Sequence, residues 1–142
     1  MHMCLKFLER YQNLGFLILR VGIGLMFMHH GYGKLFGGSA MWEKIGGAMA
    51  TWGIPSSLFT VFGFLASCSE FFGGLCLILG LGFRLACLFL FSTMVVAATM
   101  HLAQGDGLNK ASHAIEAAIL FLSLIFIGPG AYTLDEKLKK AK

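Results

Sequence analysis

Residues 58–81 read LFTVFGFLASCSEFFGGLCLILGL, a continuous apolar run with a single charged residue, Glu70, near its middle. A helix needs roughly 20 mostly apolar residues to cross about 30 Å of hydrocarbon. This run is long enough, and it does not alternate as the roughly 10-residue strands of a membrane barrel do. Similar runs cover residues 13–36, 84–102 and 111–127. Between them lie the glycine turn Gly80-Leu81-Gly82-Phe83-Arg84, the polar loop Gln104–Lys110 and the stop Gly128-Pro129-Gly130. The expected fold is all-α: four transmembrane helices packed as one bundle, a single domain over residues 1–142.

Outward from these runs, residues 37–57 are less apolar and carry Trp42 and Trp52, residues suited to the membrane boundary. They predict a short interfacial helix between spans one and two, closed by Gly53-Ile54-Pro55. Residues 1–12 form a short amphipathic lead-in with Lys6 and Arg10. The first apolar run holds Arg20, His29, His30 and Lys34, which fits a cleaved signal peptide poorly.

The composition agrees. The chain is 57% hydrophobic and 13% charged, whereas soluble domains carry about 25% charged residues. A net charge of +4 does not indicate nucleic acid, because Lys137, Lys139, Lys140 and Lys142 are gathered in the tail rather than spread along a polar face. Cys4, Cys68, Cys76 and Cys87 show no CxxC spacing and read as small hydrophobes. Lys/Arg placement sets orientation. Lys6, Arg10, Arg84 and the four tail lysines share one side, against Lys34, Lys44 and Lys110 on the other, so both termini are expected in the cytoplasm.

Charge within hydrocarbon is expensive, roughly 2.5–3.5 kcal/mol each at a helix centre. Arg20, Glu70 and Glu116 are therefore expected to face the bundle interior. Gly24, Phe27, Gly31 and Lys34 share a face with Arg20, and His30, nearer that face than His29, is the expected inward histidine. His113 and Glu116, three apart, share a face of the fourth span. The expectation is a polar pocket open to the non-cytoplasmic side, with His30, Lys34, His101, His113 and Glu116 toward its mouth and an Arg20–Glu70 pair near its floor. That pair could equally serve only to set helix register, and Lys34 and His101 could be interface anchors.

The ordered set LRVGIGLMFMHHGYGKLFGG (residues 19–38), WGIP (52–55), SEFFGGLCLILGLGFR (69–84), His101 and the Glu116-bearing last span resembles the DoxX family of small bacterial inner-membrane proteins. The resemblance runs through essentially the whole chain. It implies a four-helix membrane bundle and a link to redox physiology, since relatives are associated with quinol oxidase, thiosulfate:quinone oxidoreductase and oxidative-stress complexes.

Several functions compete. A redox-linked subunit would bind a quinone, with His30, Lys34, His101 and Glu116 as hydrogen-bonding groups and Phe27 stacked on the ring. A weaker variant is haem ligated by His30 with His101 or His113. A second class is a scaffold or assembly partner of an oxidoreductase complex, or a homo-oligomer. A third is a small transporter lined by Arg20, Glu70 and Glu116, though no inverted repeat is visible. Cys76 and Cys87, flanking the 80–84 turn, suggest a thiol variant. Ser67 and Ser69 lack an activating base, and no metal site is expected.

Overall fold

The computed structural model describes residues 5–140; the expectations that rest on Cys4 and Lys142 fall outside them. Six α-helices follow one another: α1 (Gln12–Leu35), α2 (Gly38–Gly46), α3 (Phe59–Leu79), α4 (Phe83–Ala103), α5 (Gly107–Ile127) and α6 (Leu134–Lys140). Short 3-10 turns cover Lys6–Tyr11, Gly47–Trp52 and Ser56–Leu58, and no strand occurs among the described residues. Four helical segments are long and apolar enough to cross a membrane: Lys6–Leu35, Ser56–Leu79, Phe83–Ala103 and Gly107–Ile127.

The fourth begins earlier than expected. Asn109 and Lys110, read as loop, lie in the first turn of α5, where Lys110 Nζ reaches back to Asp106 Oδ1 at 2.7 Å. An i, i+4 ion pair of this kind favours continuing a helix through polar sequence. The α3–α4 turn is as tight as expected, with Gly80 and Gly82 in the left-handed region at φ 64° and 52°.

Glycines fix how the first helix lies against α3. A Cβ on Gly24 would fall 2.6 Å from the Gly74 carbonyl oxygen, and one on Gly31 would fall 2.8 Å from Phe71 Cα. The same happens further along. A Cβ on Gly63 would meet Trp42 Cα at 2.8 Å, and one on Gly46 would meet Phe59 Cα at 2.8 Å. The pairs 24/74, 31/71, 42/63 and 46/59 step antiparallel along α3. Helix α1 thus covers the C-terminal part of α3, and α2 lies lengthwise on its first turns. The core between α1, α3, α4 and α5 is filled by Phe27, Leu77, Phe83, Cys87, Leu90, Met94, Phe121 and Leu124.

At the end of the bundle that holds the start of α1, the α5–α6 link and α6 are stitched to two other segments, α1 and the Gly80–Gly82 turn. The Ala131 N–H donates to Asn13 Oδ1 at 3.0 Å, and Arg20 Nη2 donates to the Tyr132 carbonyl. The Asp135 N–H donates to the Gly80 carbonyl at 3.3 Å, and the Gly82 N–H donates to Asp135 Oδ2 at 2.9 Å. Tyr132 takes a positive φ of 65°, the sole such non-glycine residue among those described.

Candidate functional site

Glu70 is anchored by Lys34. Lys34 Nζ donates to both carboxylate oxygens at 2.7 Å, and the Glu70 side chain is 3% exposed. Local structure explains why Lys34 is available. It ends α1, where helix carbonyls lack intrahelical partners, and the Trp42 indole N–H from α2 satisfies the Lys34 carbonyl at 3.0 Å. The indole bond holds the α1–α2 corner beside Glu70.

The expected Arg20–Glu70 pair does not form. The register set by Gly24, Gly31 and Gly74 puts Glu70 level with Gly31 and Arg20 level with Gly80. Arg20 and Glu70 are therefore about 15 Å apart along the helix axis, ten or so residues at 1.5 Å each. Arg20 is 2% exposed, bound to the Tyr132 carbonyl, and its Nε and Nη1 have no partner among the described residues.

Lys34 and Glu70 lie on the wall of a groove of about 1200 Å³ between α3 and α4, flanked by α2 and the Gly47–Trp52 turn and open along its side. It runs from Leu81–Gly82 to Met100–Gln104, the full length of α4. Its walls are mostly apolar, with Phe62, Leu65, Phe72, Leu85, Phe89 and Val96 among them. The polar exceptions beside the ion pair are Lys44, Ser69, Ser92, Thr93, Gln104 and His101. Thr93 Oγ1 donates to Ser69 Oγ at 3.2 Å, bridging the two helices beside Glu70.

His101 closes one end. Its Nδ1 lies 2.8 Å from Asp106 Oδ2, while Lys110 holds Asp106 Oδ1. Hydrogen bonds from Lys110 and then from His101 hold the Asp106 carboxyl below the usual carboxylate range.

The expected site residues therefore separate. Lys34, Glu70 and His101 line the groove. Phe27 does not; it is 5% exposed and packs edge-to-face on Phe121 at 4.9 Å, so it is core. His30 is exposed rather than inward, because the buried face of α1 centres on Arg20, Gly24, Phe27 and Gly31, about a quarter turn away. It stands 6.2 Å, ring to ring, from the exposed His113, and not with His101. Glu116 is also exposed, since α5 buries Ala111, Ala114, Ala117, Ala118, Phe121 and Leu124 on another side. Cys87 is fully buried while Cys76 lines the groove, and both are free thiols.

Sequence reading missed the polar bridge of Ser69 with Thr93, the Trp42 bond and the role of Asp106. The polar loop Gln104–Lys110 was a visible signal for Asp106. The other two depend on which helix faces meet.

A family model described as DoxX matches residues 15–102. The chain is 28% identical over 136 residues, 94% of its length and 98% of the relative's, to "Inner membrane protein YqjF" of Escherichia coli (strain K12). No solved structure matches it. With more than half of the chain matched and four helices fit to span a membrane, the protein belongs to the DoxX family and is a multi-pass integral protein of the bacterial inner membrane.

Proposed function

We propose that the α3–α4 groove takes up a quinone or quinol from the bilayer and that the protein serves as a quinone-associated subunit of a redox system. The observation that carries this is a half-buried ion pair, buried Glu70 with partly exposed Lys34, on the wall of a long, apolar, side-open groove. A quinone is a polar ring on an apolar chain. Its carbonyls would accept hydrogen bonds from the Lys34 ammonium, and a quinol hydroxyl would donate to Glu70. Ser69 and Thr93 offer further partners at the same depth. The apolar walls would hold the chain, and the open side would admit it from lipid. Ligand sites are commonly of this kind, mostly apolar with a few placed polar groups. The redox associations of the family support the same reading.

On the Lys/Arg asymmetry of the sequence, the termini face the cytoplasm, and the His101 end of the groove is then its non-cytoplasmic mouth.

Two indoles report on the groove. Trp42 bonds the Lys34 carbonyl, and Trp52 Nε1 donates to Thr99 Oγ1 at 3.0 Å. Purified protein titrated with short-chain ubiquinone or menaquinone analogues should show saturable tryptophan quenching and a raised Tm. Linear, non-saturating quenching with no thermal shift would refute the assignment.

A further inference from the structure

A second face of the molecule is unexplained by the groove. His29, His30, His113 and Glu116 are all exposed on the outer surface of α1 and α5. They form a continuous row: the rings of His29 and His30 are 6.0 Å apart, those of His30 and His113 are 6.2 Å apart, and Glu116 follows one turn after His113. Glu116 lies nine residues from Gly107 and eleven from Ile127, about 14 and 16 Å from the two ends of its helix. That is inside a membrane-spanning segment, more than two turns from either end. It points roughly 140° away from the centre of the buried face of α5, and it makes no ion pair or hydrogen bond among the described residues.

A carboxylate facing acyl chains at this depth is strongly disfavoured, and intramembrane ionisable groups are almost always turned toward protein or water. Something other than lipid must therefore cover this face. The chemistry of the face identifies the cover. Phe27 packs on Phe121 and His30 beside His113, so Glu116 is level with the Phe27–His30 turn of α1. The acceptor and the imidazoles that could donate to it occur at one depth, side by side on one surface. Two copies inserted in the same orientation are related by a two-fold axis along the membrane normal. Such an axis brings groups of equal depth face to face and makes each contact twice.

We propose that a second copy of this chain packs on the α1–α5 face, with Glu116 of each copy meeting His29 and His30 of the other. The acceptor and its donors both belong to this face, so the pair closes without leaving a carboxylate in lipid. Gly22 lies on the same outward side of α1 as His29, with nothing within 4 Å of a Cβ built on it, which leaves room for the close backbone approach that membrane helix pairs use. The groove between α3 and α4 is not part of this surface, so the inference stands apart from the quinone reading.

Energy transfer between donor- and acceptor-labelled copies in phosphatidylcholine liposomes, measured over a range of protein-to-lipid ratios, tests the proposal. The expected result is a saturable two-copy association that Glu116→Leu weakens about tenfold or more, with no loss of thermal stability of the monomer, because leucine suits lipid. Gly22→Phe should block the approach sterically while leaving every charge in place, and it decides the matter if Glu116→Leu does not insert. A wild-type chain that stays monomeric at all ratios, including one whose face is covered by a different protein in the cell, overturns the proposal. So does a variant that associates as tightly as wild type.

Discussion

Helix α3 meets α1 on one flank and α4 on the other, and the flanks are built differently. Toward α1, backbones touch: a Cβ on Gly74 would sit 2.6 Å from the Gly24 carbonyl, and one on Gly31 would strike Phe71. Toward α4, a Cβ on Gly73 would meet a side chain and no backbone, with Leu90 Cγ at 3.0 Å, and a groove of about 1200 Å³ runs alongside. The closed seam sets register and so decides which charges meet. The open seam leaves volume and exposes one side of the ion pair that the closed seam has assembled. In lipid, where apolar surface alone does not drive helices together, small residues determine which seam closes.

The sharpest test of this contrast is the same substitution on each flank. Gly31→Ala should destabilise the protein by about 4 kcal/mol or prevent folding, because the new methyl meets backbone that cannot yield. Gly73→Ala should cost about 1 kcal/mol, since Leu90 can turn aside. Equal midpoints in thermal unfolding in detergent would erase the distinction. Next in size is the ion pair. Glu70→Gln should destabilise by about 2–3 kcal/mol, below the usual cost of stranding a buried charge because Lys34 is partly exposed and can reach water. The paired change Lys34→Met with Glu70→Leu should restore most of that loss. If the double variant is no more stable than Glu70→Gln, the two residues do not act as a unit.

A smaller effect is expected from Thr93→Leu, which adds bulk inside the open seam. Stability should change by under about 1 kcal/mol, whereas quinone-dependent quenching of Trp42 and Trp52 should weaken at least several-fold. Unaltered quenching would place the ligand elsewhere. The least effect belongs to the α4–α5 turn, outside both seams. The depressed Asp106 carboxyl contributes stability in full above the ordinary carboxylate range, near 3.9, and that contribution is lost as pH falls through its lower folded value. Asp106→Asn should remove this acid sensitivity, read as the difference in unfolding midpoint between pH 5 and the acid limb.

Much of the fold was legible from composition and run length. The four spans, the short helix carrying Trp42 and the turn at Gly80–Gly82 all occur close to where the residues place them. The site was legible only in part, for two physical reasons. Helical period assigns Glu70 a face but says nothing of axial register, and the Gly24–Gly74 and Gly31–Phe71 contacts slide Arg20 away from it and bring Lys34 to it. Inside and outside are also hard to tell apart when both surroundings are apolar. Glu116 was expected inward on charge and His30 on its position at the edge of the Arg20 face, and the alanine face of α5 and the glycine face of α1 prevailed.

The stitching of the α5–α6 link has a consequence for how the protein is made. Arg20 enters the translocon long before its acceptor, the Tyr132 carbonyl 112 residues further along the chain, is synthesised. Until Tyr132 has been made, that guanidinium is expected to stay hydrated at the membrane edge. Final burial of the first helix is thereby tied to synthesis of the α5–α6 link, and a nascent chain stopped short of Tyr132 lacks the acceptor that Arg20 uses among the described residues.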